Sequence, residues 1–336
     1  MMLKKVASAA VILAFIGFCL LSAVALELVG YARLPADPGA AGQVVKIARG
    51  QSVARTAERL HRLGIIREPL KFRALARLCG DDRRIQAGEY LLSASLAPRE
   101  ILDVLVGGRV QRHRVTIAEG LTVAQIARLV EAAGLASAEA FQAAATDPAA
   151  LAAAGIEADS FEGYLFPETY FFTRSDTAAD MVAAMAARFH QVFRAEWRHR
   201  AAEMGWTVHQ VVTLASIVEK ETGAPSERAL ISGVFHNRLG RGMRLESDPT
   251  VIYGIADFDG NITRRHLRTP TPYNTYHIFG LPPGPIANPG AAAIAAALFP
   301  AETDALYFVS RNDGSHVFSR TYAEHLEAVR RYQSGQ

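Results

Sequence analysis

The residues best suited to chemistry in this sequence are two glutamates that close an apolar run. Residues 211–222 read VVTLASIVEKET, with Glu219 and Glu221 at the far end. A helix turns about 100° per residue, so side chains two apart point about 200° from one another and cannot enter one site. The residues before them are apolar nearly all round, which predicts a buried helix over 207–222. A carboxyl group at the end of such a helix is partly stripped of water. Its proton affinity rises, and it can serve as a general acid at neutral pH. The plainer alternative is a solvated helix end whose acids pair with Lys220 or Arg228. Spacing alone leaves both open.

Other catalytic schemes lack their residues. There is no H-E-x-x-H, and the ten histidines are scattered, so neither a zinc hydrolase nor any other metal or cofactor is expected. There is no G-x-S-x-G or S-x-x-K; Ser216 precedes Lys220 by four positions rather than three. The glycines form no phosphate loop. Net charge is +3 over 336 residues, with no basic stripe interleaved with aromatics, so nucleic acid is not an expected partner. Cys19 and Cys79 lie in different environments, one in the apolar start and one in the soluble part, and no disulfide framework follows. Carboxylate chemistry on a neutral polymer remains.

Periodicity supplies the elements that must position these acids. Helices are predicted over 177–199, 207–222 and 226–239. Between 240 and 304 the chain is rich in Gly, Pro, Asn and Tyr and reads as loop, stiffened by three prolines in the first half of the 280–290 stretch. A strand pair follows at 305–309 and 317–318, then a closing helix over 322–332. Upstream there is an internal repeat. Ile47-Ala48-Arg49-Gly50-Gln51-Ser52-Val53-Ala54 recurs as Ile117-Ala118-Glu119-Gly120-Leu121-Thr122-Val123-Ala124. Each copy reads as a short strand, a Gly turn, a Ser/Thr N-cap, a helix and a terminating Gly. This unit resembles the LysM carbohydrate-binding module; a generic βα unit would look the same. Between the copies, 70–78 and 95–106 read as helices and 85–92 as a strand. Residues 135–155 are Ala-rich and helical.

The first residues address location. Positions 6–29 read VASAAVILAFIGFCLLSAVALELV, and about 20 apolar residues cross a bilayer as a helix. Lys4 and Lys5 precede it, which favours a cytoplasmic N-terminus and an exported remainder. A cleaved signal peptide ending near Ala23-Val24-Ala25 is the rival and gives the same side. Residues 30–43 read as a Pro/Gly/Ala linker.

Several longer motifs then stand in order: EGYLFPETY at 162–170, ASIVEKET at 215–222, Glu227-Arg228, VFHNRL at 234–239, GMRLESDPTVIYG at 242–254, TPYNTY at 271–276 and GLPPGPIANPG at 280–290. Together they resemble the YceG-like, MltG-type endolytic murein transglycosylases, over nearly the whole chain. His236 and Pro272 stand where more variable residues are expected. The resemblance implies that Glu219, first acid of the V-E-K-E-T run, is the catalytic glutamate, with Glu221 as the alternative. It implies cleavage between N-acetylmuramic acid and N-acetylglucosamine of nascent strands without water, leaving a 1,6-anhydro end. One carboxyl would act first as acid and then as base, in place of the carboxylate pair of ordinary glycosidases. Support for the developing positive charge and for the sugar would come from Glu162, Asp248, Tyr253, Tyr273, Asn274 and Thr275, since acids, amides and phenols suit that role. Each has a structural alternative; Asp248-Pro249-Thr250 is also a good helix start and Asn288-Pro289-Gly290 a plain turn.

The expected fold class is therefore α+β. A cytoplasmic stub (1–5), a transmembrane helix (6–29) and a linker (30–43) precede a LysM-like α/β region with two βα repeats (44–155) and an α+β catalytic domain (156–336). The expected place is the inner (cytoplasmic) membrane, single-pass, with the catalytic domain periplasmic. The partners are peptidoglycan strands and, by resemblance, the membrane-bound penicillin-binding proteins. Two other functions fit the same residues. One is a muramidase-type hydrolase, which a second carboxylate beside Glu219 would favour. The other is a non-catalytic glycan-binding scaffold of the wall-synthesis machinery.

Overall fold

A computed structural model of the chain describes residues 2–256 and 258–333. Met1 and the side chains of Lys4 and Lys5, on which the expected orientation rests, lie outside what is described, as do residues 334–336 of the C-terminal domain. The apolar N-terminal run folds as one long helix, α1 (Met2–Arg33). It stops where Pro35 disfavours a helical Leu34. Phe15–Arg33 is long and apolar enough to cross a membrane by length and composition. Phe15, Phe18, Leu20, Leu21, Val24 and Leu26 are exposed, with no part of the described chain covering them.

The chain forms two compact units, Met1–His113 with Thr173–Ser175, and Arg114–Phe172 with Asp176–Gln336. In the first, alternation of inward Val45 and Ile47 makes β1 (Gln43–Ile47) a half-buried strand. Then come α2 (Val53–Arg62), α3 (Pro69–Leu78), β2 (Gly88–Leu92) and α4 (Pro98–Val106). β1 and β2 pair antiparallel, Val45 opposite Tyr90. Leu60, Phe72, Tyr90, Ile101 and Leu105 complete the core. The end of α1 belongs to this unit. Leu28, Tyr31 and Ala32 pack on its core, Glu27 takes Lys71 Nζ at 2.6 Å, and Tyr31 donates to the Glu68 carbonyl. The predicted linker therefore begins with helix, docked rather than free.

The second unit opens inside β3 (His113–Thr116) and continues with α5 (Val123–Ala132), α6 (Ala138–Ala145), α7 (Pro148–Ala153) and β4 (Thr169–Phe172), the last paired with β3. It continues with α8 (Ala178–Val192), α9 (Ala195–Glu203), α10 (Val208–Glu221) and α11 (Arg228–Gly240). Short helices α12 (Asp248–Tyr253) and α13 (Arg264–Arg268) lead to α14 (Ala291–Leu298). The antiparallel strands β5 (Tyr307–Ser310) and β6 (His316–Ser319) and the closing α15 (Tyr322–Gln333) end it. α10 is the central element. Every residue from Val211 to Val218 is buried, and α9, α11 and α14 pack around it.

Each repeat copy has the local form its sequence predicts. Ser52 and Thr122 cap α2 and α5 by accepting from Arg55 N and Gln125 N, and Gly50 and Gly120 turn the chain at φ +73° and +76°. The copies divide between the units, however. Val115, Ile117, Val123, Ile126 and Val130 share one core with Phe161, Leu165 and α10, so the predicted boundary at 155/156 falls inside a continuous core. The helix predicted over 177–199 breaks at Phe193 (ψ 71°), which turns inward between Phe189 and Trp197. α14, in a stretch read as loop, buries Ile294, Ala296, Ala297 and Leu298.

Candidate active site

Thr207 and Gln210 form a capping box that starts α10, and the helix then runs through the core until its last turn. That turn carries the two glutamates in different settings. The Glu219 side chain is 8% exposed. One oxygen accepts from Gly290 N at 3.0 Å, the residue that caps the N-terminus of α14, and the other lies 3.6 Å from Arg228 Nη2. Burial raises its proton affinity above the ordinary carboxyl value, and the charge of Glu119 adds to this. The Gly290 amide, Arg228 and Lys220 oppose it. Arg228 thus lies against Glu219, as the structural alternative required, yet burial outweighs it.

Glu221 faces elsewhere. Its Oε1 accepts from Ser247 Oγ at 2.5 Å, and burial, with the nearby charge of Asp248, pushes its carboxyl up to about 7. It lines a cavity of about 570 Å³ with Arg238, Glu246, Asp248, Tyr276 and His325. Glu219 is not among the residues lining that cavity. The two acids therefore occupy separate environments, as their angular spacing demands.

The supporting residues sort by burial. Glu162 is 7% exposed. Its oxygens accept from Val123 N at 3.1 and 3.2 Å, Asn288 Nδ2 at 3.0 Å and Tyr253 OH at 3.3 Å. Burial still prevails over these donors and pushes it up to about 7. Asn274 and Thr275 are wholly buried. Asn274 Nδ2 donates to the carbonyls of Leu267 and Thr269, and Thr275 Oγ1 accepts from Ser247 N at 2.9 Å, so both secure the 240–276 loops from within. Asp248 begins α12 and accepts from Tyr276 OH at 2.8 Å. Tyr253 and Tyr273 are only half-buried, with ring centroids 4.8 Å apart.

Of a third set, the sequence marks Asn288 only within a turn and Ser216 only as a serine out of register with Lys220, and it singles out neither His209 nor Glu119. Asn288, wholly buried, is the joint of the site. It accepts through Oδ1 from Leu165 N and donates through Nδ2 to Leu121 O and Glu162. Its backbone bonds Gly120 N and Leu121 O. One side chain thus ties the second repeat's turn, the 161–168 segment and the 280–290 loop. His209 holds the other end of that loop. Its Nε2 meets the Pro283 carbonyl at 2.9 Å and must carry the proton, so Nδ1 accepts from Tyr164 OH. Ser216 Oγ accepts from Ile286 N. Glu119 is exposed beside Glu219. Its signal was present in the repeat, where copy one has Arg49 and copy two reverses the charge.

The fold is mixed α and β, and the last turn of its core helix carries two desolvated acids, of which Glu219 is held against an amide, a cation and a second carboxylate. The profile of the YceG-like family matches residues 45–331, and the chain belongs to that family. It is 32% identical over 309 residues to an endolytic murein transglycosylase of Bacillus subtilis, covering 86% of this chain and 84% of that one. An endolytic murein transglycosylase of Streptococcus pneumoniae is 29% identical over 335 residues, and there the match spans 88% of this chain but 60% of the relative. The crystal structure of a YceG-like protein from Listeria monocytogenes superposes with a TM-score of 0.59 at 30% identity, covering 86% of this chain and 99% of that one.

Proposed function

We propose that this protein is an endolytic peptidoglycan lytic transglycosylase with Glu219 as its acid and base. The observation that carries the reading is the Glu219 carboxyl, buried at the end of α10 in a family whose curated relatives bear that activity's name. Protonated Glu219 gives its proton to the glycosidic oxygen as the bond to C1 of N-acetylmuramic acid breaks. The carboxylate so formed is steadied by the Gly290 amide and Arg228. It then takes the proton of the muramyl 6-hydroxyl, whose oxygen closes on C1. The intramolecular hydroxyl has a large proximity advantage over water. Among the other residues proposed to serve the substrate, Asp248, Tyr253 and Tyr273 have the exposure for sugar contact. Glu162, Asn274 and Thr275 support the walls.

The capped βα units are proposed to hold glycan in the manner of LysM modules, and α1 to anchor the chain in the cytoplasmic membrane with the enzyme outside, near the synthases that make the strands. Mass analysis of digests by the full-length protein tests the main reading. Wild type should release anhydro-ended fragments, and Glu219→Gln should lose roughly 10²–10⁴-fold in rate with its fold intact. Full activity in Glu219→Gln alongside an inert Glu221→Gln would move the acid to Glu221. One observation favours a second reading: Glu119 places another carboxylate beside Glu219, as a hydrolase of the same bond requires. Fragments heavier by one water, with reducing ends, would establish that.

A further inference from the structure

Glu119 stands at the turn before α5, exposed, next to Gly120, which meets the C-terminal turn of α10. Lys220 Nζ lies 3.3 Å from the Gly120 carbonyl, and a Cβ on Gly120 would touch the Glu219 side chain at 3.6 Å. On the other side is Gly290. Its φ of −75° is open to any residue, so conformation does not call for glycine there. A Cβ on Gly290 would fall 1.7 Å from Glu119 Oε1, so the exposed Glu119 carboxylate would have to swing aside. The same Gly290 donates its amide to Glu219. Two carboxylates therefore converge over one glycine, one buried and one in contact with solvent. The charged groups facing Glu219 are Glu119 from this turn, Arg228 from α11 and Lys220 from its own helix.

We infer that Glu119 is a further catalytic residue of the reaction proposed above, a carboxylate whose charge stabilises the cationic sugar formed when the glycosidic bond breaks. The inference rests on that reading. The C1–O4 bond breaks, its electron pair leaves on the N-acetylglucosamine oxygen, and that oxygen takes the Glu219 proton. Positive charge is left on C1 and the ring oxygen of the muramyl unit, opposite the Glu119 carboxylate. The 6-oxygen then bonds to C1 and its proton returns to Glu219, so no water and no covalent bond to Glu119 is needed. Glu119 has a second effect through the same charge. It resists ionisation of Glu219, which keeps the acid loaded to higher pH.

The test is the pH–rate profile of full-length Glu119→Gln on purified glycan strands, with products weighed. The variant should lose about a hundredfold in kcat with little change in KM. Its alkaline limb should move to lower pH, because Glu219 gives up its proton more readily without a neighbouring negative charge. Its products should stay anhydro-ended. Gly290→Ala keeps the amide but displaces the Glu119 carboxylate, so it should slow wild type and add little to the loss in Glu119→Gln. A wild-type rate and unmoved limb in Glu119→Gln would overturn the inference, as would equal losses from Gly290→Ala in both backgrounds. Were Glu219→Gln itself active, the reading beneath would fail instead, so the two failures are distinguishable.

Discussion

Single residues of this protein combine burial and charge in ways that pH can read. Glu162 accepts hydrogen bonds from an amide, a carboxamide and a phenol, yet burial leaves its carboxyl at about 7 instead of the ordinary 4.5. Below about pH 4.5 it is protonated in both the folded and unfolded chain and the fold bears no cost. From there the unfolded chain ionises first, so stability falls as pH rises, until about 7. The span corresponds to at most roughly 3 kcal/mol. Glu221 contributes in the same direction over the same window. Chemical denaturation of wild type between pH 5 and pH 8 should show declining stability, and Glu162→Gln should flatten that decline. An unaltered slope would show that Glu162 is ionised in the fold. The slope is the quantity to compare, because the amide also alters hydrogen bonding to Val123 and Asn288.

At the scale of elements, the site is a meeting of a core helix, a repeat turn and a proline-stiffened loop, and Asn288 is where they are joined. Replacing Asn288 with Ala leaves Leu165 N without its acceptor and removes donors from Leu121 O and Glu162. A cost of roughly 2–4 kcal/mol is expected in urea denaturation, together with reduced glycan cleavage as Gly290 shifts from Glu219. What could be read beforehand follows the same division. α10 was legible because its apolar run and its cap are local signals. The two βα units were legible because the repeat fixed their turn and cap residues. The break at Phe193 was not, since no Gly or Pro marks it; packing against Phe189 and Trp197 makes it. α14 was hidden in AAAIAAAL, which follows a Pro- and Gly-rich loop and shows no polar face to give a period. Asn288 looked like a turn residue because its partners lie 123 to 167 positions away. The ordered motifs favour Glu219 over Glu221, and the fold adds that the two acids face different surroundings.

For the whole molecule, the last turns of the N-terminal helix complete the core of the first unit. A form of the protein begun after Arg33 loses Leu28, Tyr31 and Ala32 from that core and leaves Lys71 without Glu27. It should melt at a lower temperature than one begun at Leu26, by an amount equivalent to about 1–3 kcal/mol; identical melting curves would show the docking to be dispensable. The same docking has a mechanical meaning. With the apolar stretch embedded in a bilayer, the module below it is not a weight on a leash, free to sample heights that grow with the square root of a linker's length. It is a lamp on a fixed post. Its distance from the lipid surface is set in steps of about 1.5 Å per residue of α1, so inserting or deleting residues just before Glu27 would raise, lower and rotate that module in discrete, calculable increments.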